Sequence, residues 1–353
     1  MTKWIDIKAG ATARTHIQEH GLKASDVSLL LGASGGPKWF ILQGLDHYLF
    51  GDFFQDKEEP LHLLGTSAGA WRFASLGRSD ATEASALFSR LYRGTVYSEK
   101  PDVREITDKA IELLNEYVTD EAIDEILSQD KFLHHMIVVR SRGVGASENR
   151  LLQGVSLAAA ALLNIVSRKT LRHSFDRVVF HHPKAATPLG KDWIDLPTQH
   201  VTLTKENFRL ALLATGSIPM VLSGVRDIPG APPGVYRDGG VTDYHFDLPF
   251  SDQKGLVLYP HFQREVIPGW FDKNLKRRVS GAQWPNVVTL MPTQAFIEAL
   301  PYKKIPDRHD FANLDVATRQ KFWQDATDAG YRMADELAEL IESGGIRDAV
   351  QSW

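Results

Sequence analysis

The chain of 353 residues has no cysteine. That excludes disulfides, thiolate nucleophiles and cysteine-ligated zinc, and it fits a reducing compartment. Long apolar runs are missing too. The longest small-residue run, VSLAAAALLNIV (155–166), falls short of the about 20 residues a membrane-spanning helix needs. The opening MTKWIDIKAG lacks the apolar segment of a secretory signal, so a cytoplasmic protein is expected. There is no excess of basic charge: the formal net charge is -4, which argues against a nucleic-acid partner. No internal repeat or low-complexity linker divides the chain.

What is present is an ordinary globular balance, 43% hydrophobic and 24% charged, on a chain long enough for a large core. Short apolar runs alternate with helical patterns, which predicts an α/β fold with a mainly parallel sheet and helices on both faces. The predicted strands are VSLLLG (27–32), LHLLG (61–65), HHMIVVRS (134–141), RVVFHH (177–182), GLVLYP (255–260) and NVVTLMP (286–292). Residues 80–133 read as all-helical and interrupt the alternation as a cap. Within them, 103–128 carries apolar residues at helical spacing. A stripe of Phe322, Ala326, Met333, Leu337, Leu340 and Ile341 predicts a core-facing helix in the tail, about 310–345. One elaborated domain over 1–353, with its core at about 27–292, is the expected organisation.

Three glycine-rich stretches carry the chemistry. In LLLGASGGPKWF (29–40) a strand runs into Gly35 and Gly36, and Pro37 then opens a helix without forfeiting a hydrogen bond. Glycine turns ahead of a helix expose N–H groups to an anion, a phosphate or a developing oxyanion. Pro37 has no N–H, so Gly35 and Gly36 are the candidate donors. Pro37-Lys38-Trp39 stands where a phosphate-binding P-loop needs Gly-Lys-Ser/Thr, which argues against an NTPase. Lys38 is a candidate for a substrate phosphate, or else caps a neighbouring strand.

In HLLGTSAGAW (62–71) the pattern G-x-S-x-G follows a strand and precedes a helix. That is the context of a nucleophile elbow, with Ser67 at its tip. Small neighbours at 65 and 69 let strand and helix approach. In YRDGGVTDYHF (236–246), Asp238 precedes two glycines, a pattern that is by itself only a turn.

These three stretches in this order, with LALLATGSIPMV (210–221) between them, resemble the patatin-like phospholipase family over roughly residues 27–260. DAGYRMA (328–334) is similar to the terminal helix of bacterial members. The resemblance implies a three-layer α/β/α sandwich and a Ser-Asp dyad, with Ser67 as nucleophile and Asp238 as base. It also implies an oxyanion hole at Gly35-Gly36 and hydrolysis of lipid acyl esters of phospholipid or lysophospholipid type. The usual family loop is Asp-Gly-Gly-Gly-x-Arg/Lys-Gly. Here Ala33 and Ser34 replace its first two residues, and Trp39 stands in place of its last glycine.

Two other readings stay open. One is a Ser-His-Asp esterase drawing on His245, His261 or His309, which follow Asp238 in the chain order of α/β hydrolases. The other is a catalytically silent lipid-binding or scaffold protein of the same fold. No cofactor and no metal is expected. His134-His135 and His181-His182 lie on strands, where neighbours point to opposite faces, and His16 with His20 lacks a third ligand. WFDKNLKRRV (270–279) joins aromatics to bases and is a candidate for peripheral membrane contact, against the plainer reading of a solvated surface helix.

Overall fold

The computed structural model describes residues 2–187, 189–250 and 253–353. Among the described residues, eleven strands form one sheet: β1 Ile5–Ala9, β2 Val27–Gly32, β3 Leu61–Gly65, β4 Phe132–Ser141, β5 Phe175–His181, β6 Thr198–Thr202, β7 Val225–Arg226, β8 Val235–Asp238, β9 Leu256–Pro260, β10 Val287–Pro292 and β11 Gln351–Ser352. The order is β11-β1-β10-β9-β2-β3-β4-β5-β6, with β8 added on β4 and β7 on β8. Pairings within β10-β9-β2-β3-β4 are all parallel, whereas β4 meets β5 and β8 antiparallel. The result is a mixed, mostly parallel sheet flanked by helices. Its central strands are buried almost end to end, which is why they read as continuous apolar runs rather than alternations.

All six predicted strands form, with ends shifted by at most two residues. Those not predicted lie largely at the edges. β1 alternates buried and half-buried residues, and β6 carries the polar TQHVT. The helical pattern over 103–128 is two helices, Val103–Tyr117 and Asp120–Ser128. The break falls at Thr119, whose side chain caps the second helix by accepting from the Ala122 N–H. The tail stripe lies on the helix Val316–Glu342, with Phe322, Ala326, Met333 and Leu337 buried.

The register of β4 positions the site. Its first half pairs with β3, Gly65 facing Met136. Its second half pairs with β8, Asp238 facing Val138. The C-terminal end of β3 and the C-terminal end of β8 therefore meet two residues apart along one ruler, about 7 Å at strand rise.

Candidate active site

Beyond β3 the chain turns through Thr66 and Ser67 into the helix Ala68–Leu76. Ser67 sits at φ 52° and ψ −128°, a conformation that costs about 1–3 kcal/mol for a residue with a Cβ. The turn is this sharp because its neighbours have no side chains to clash. A Cβ on Gly69 would lie 2.0 Å from the Gly32 carbonyl oxygen, and one on Gly65 would lie 2.5 Å from Ala70 N. Ser67 is held there by its own backbone. Its N–H donates to Thr215 Oγ1 at 2.9 Å, and Thr215 in turn donates to the Ile137 carbonyl on β4 at 2.6 Å.

Ser67 Oγ donates to Asp238 Oδ2 at 2.9 Å. The other carboxylate oxygen accepts the Gly240 N–H at 2.7 Å, and Asp238 N–H donates to the Ser217 carbonyl at 3.0 Å. Asp238 is buried, which raises its pKa to about 6. The hydrogen bonds from Gly240 and Ser67 and the charges of Arg308 and Lys273 hold the rise down. The carboxylate is thus ionised at neutral pH yet more basic than a solvated one, the requirement for taking a proton from a hydroxyl.

Gly35 and Gly36 border the same small cleft as Ser67 and Asp238. Gly36 has φ 55°, a left-handed turn that suits glycine. Trp39, the departure from the family loop, does not enter the cleft. Its ring is buried, stacked on Phe88 and Phe40 at 4.7 Å each, and it pins the turn to the helix Ala81–Gly94.

Two spaces open from Ser67. One is an apolar cavity of about 250 Å³, walled by Trp71, Tyr92, Ile106, Leu113, Val221 and Phe311 among others. Eight of its eighteen lining residues, from Tyr92 to Leu113, come from the stretch 80–133, where the helices Ala81–Gly94 and Val103–Tyr117 are joined by an irregular segment. The other is the cleft over Asp238, where Lys273 and Arg308 converge. Neither cation has a hydrogen bond or ion pair among the described residues; Lys273 lies over the Tyr244 ring at 4.0 Å. Burial, together with Arg308 and Lys38, lowers the Lys273 pKa to about 7.

Lys38 borders neither space. It donates to Gln263 Oε1 at 2.6 Å, and burial lowers its pKa to about 8. His245, His261 and His309 border neither space as well. The first two are buried with other partners: His245 Nδ1 accepts the Ile267 N–H, and His261 Nδ1 donates to the Gln263 carbonyl at 2.6 Å. No group of three or more histidine or acidic side chains among the described residues could hold a metal ion. The segment 270–279 is not an amphipathic helix but one turn, Trp270–Asp272, followed by irregular chain. Arg277 is tied to buried Asp272 and Arg278 to Glu265.

Sequence reasoning missed Thr215, Lys273 and Arg308 as neighbours of Ser67. Thr215 and Ser217 explain why LALLATGSIPMV stood out: this stretch holds the backbones of both Ser67 and Asp238.

Fold and site together define an α/β protein with a bonded serine–aspartate pair at the C-terminal ends of its strands. No family model matches the chain, and no curated protein matches it in sequence. Among solved structures it is similar to human GIVD cytosolic phospholipase A2, with 12% identity and a TM-score of 0.36. That match covers 96% of this chain and 62% of the other, so this chain spans less than two thirds of its neighbour's length.

Proposed function

We propose that the protein is a serine acyl hydrolase acting through a Ser67–Asp238 dyad on esters that join an apolar acyl chain to an anionic alcohol part, as phospholipids do. The observation that carries this is the 2.9 Å bond from Ser67 Oγ to Asp238, placed where an apolar cavity and a cationic cleft meet.

Ser67 Oγ attacks the ester carbonyl while its proton passes to Asp238 Oδ2. The tetrahedral oxyanion is taken by the Gly35 and Gly36 N–H groups, each donor worth roughly 2.7–4 kcal/mol in such sites. Collapse expels the alcohol part, which leaves with the proton from Asp238, and an acyl ester on Ser67 remains. A water then repeats the sequence: Asp238 takes its proton, the carboxylic acid departs, and the proton returns to Ser67. The acyl chain lies along Trp71, Leu113 and Phe311, and the anionic group faces Lys273 and Arg308. The helical stretch 80–133 acts as the cap that walls the acyl chain.

The test is labelling by a fluorophosphonate probe, alongside hydrolysis of p-nitrophenyl esters and lysophospholipids. Wild type should label and turn over, Ser67→Ala should do neither, and Asp238→Asn should lose turnover. Labelling that persists in Ser67→Ala would overturn the assignment, as would full turnover by Asp238→Asn.

A further inference from the structure

The helix Arg150–Val166 has its polarity reversed. Its polar side chains Gln153 and Asn164 are buried, while Leu151, Val155, Leu162 and Val166 are 76, 59, 67 and 84% exposed. At 100° per residue the exposed apolar positions fall on one arc of about 160°, opposite the two buried polar residues. A helix meant to face water is built the other way round. Val144, ahead of the helix, and Ile194, whose carbonyl takes a hydrogen bond from Arg172 beyond its end, are exposed as well.

The buried polar residues tie this helix to the site. Gln153 accepts the Met220 N–H at 2.8 Å, two residues from Ile218, which borders both spaces beside Ser67. Asn164 donates to Asp272 at 2.8 Å, in the turn that carries Trp270 and leads to Lys273. The helix is therefore anchored, through the face opposite its exposed stripe, to two segments that border the cleft over the dyad.

Its charge selects the occupant. From Arg150 to Ser174 the chain has four cations, Arg150, Arg168, Lys169 and Arg172, and no acid, on a protein of net charge -4. Arg168 shares buried Asp272 with Arg277, so one positive charge of that trio is left over. Both ends of the helix are cationic, so pairing with a second copy, in either direction, would set like charges against each other. A helix of this kind lies in the plane of a membrane surface rather than across it. No helix among the described residues is long and apolar enough to cross one.

We propose that the Arg150–Val166 helix docks the protein on an anionic phospholipid surface, apolar stripe in the headgroup layer, with the cleft over Ser67 beside it. The docking serves the lipid-ester reading given above, but it is tested without catalysis.

The experiment uses the full chain carrying Ser67→Ala and vesicles of phosphatidylcholine with about 30% phosphatidylglycerol. Co-sedimentation should be clear on these vesicles and weaken in high salt. Leu151→Gln, Leu162→Gln and Val166→Gln together should lower binding by about tenfold or more. Lys169→Glu with Arg172→Glu should remove the preference for anionic over neutral vesicles. In the catalytically intact background these variants should melt like wild type and hydrolyse a soluble short-chain ester unchanged, which separates docking from folding. Absence of binding at low salt overturns the proposal, as does equal binding by the triple glutamine variant. An oligomer that the triple variant splits while vesicle binding is unchanged also overturns it, and assigns the face to a second copy. Vesicle binding without any ester hydrolysis by the intact protein would overturn the hydrolase reading and leave docking standing.

Discussion

Replacing Asp238 by asparagine should stabilise the protein at alkaline pH while abolishing turnover. The buried carboxylate has its pKa raised from 3.8 to about 6. At 1.36 kcal/mol per unit, ionising it in the folded state rather than the unfolded one costs about 3 kcal/mol. A raised carboxylate pKa means the folded state holds its proton more tightly. Its favourable contribution is fully present below the ordinary value of 3.8 and is lost as pH rises through about 6. Activity runs the other way, because the base must be ionised: kcat/KM for a neutral ester should rise through about pH 6. Asparagine keeps the acceptor for the Gly240 N–H and has no charge to bury. The assay is urea unfolding of both proteins at pH 4 and pH 8. Groups not coupled to Asp238, such as buried Asp46 with its pKa raised to about 7, act equally in both proteins and cancel in the difference; Lys273, whose pKa the Asp238 charge raises, is the exception, and running the same comparison in a Lys273→Met background removes it. The stability gap should move by about 2.4 kcal/mol in favour of the variant between the two pH values, roughly 3 °C in Tm for a chain of this size. Curves that stay parallel, within about 0.5 kcal/mol, would refute the claim that burial holds this carboxylate.

Three further outcomes follow from the same geometry. Thr215→Val removes the acceptor of the Ser67 N–H and should cost about 1–3 kcal/mol of stability and lower kcat; Thr215→Ser should restore both, read by unfolding and ester hydrolysis. Lys273→Met or Arg308→Ala should raise KM about tenfold or more for esters with an anionic alcohol part, with little effect on neutral p-nitrophenyl esters. Ala110→Trp fills the apolar cavity and should shift preference toward short acyl chains; in wild type each methylene that still fits is worth about 0.8 kcal/mol, near fourfold in kcat/KM.

The central strands were legible because burial on both faces leaves an apolar run that ends in a turn, as in VSLLLG and LHLLG. β6 was not, since an edge strand has no apolar pattern to show. Ser67 was legible from its glycines, which record how closely strand and helix approach. Lys273 and Arg308 were not, because only folding brings residues that far along the chain to the cleft. The run VSLAAAALLNIV was visible, but its meaning was not. Composition marks it as apolar, and only the structure shows that its hydrophobic side faces out.

Two features of the site work against stability: the left-handed Ser67 and the charge buried on Asp238. Both are held by β4 rather than by each other. The Ile137 carbonyl anchors Thr215, which anchors the Ser67 N–H, while Val138 pairs with Asp238. Adjacent residues of one buried strand thus fix the nucleophile and the base independently. The Ser67–Asp238 bond need not supply the energy that brings the pair together. A hydrogen bond relieved of that task is free to break and re-form as the proton moves. That is also why Ser67→Ala should leave the fold and the position of Asp238 intact, so that loss of activity in that variant reports chemistry alone.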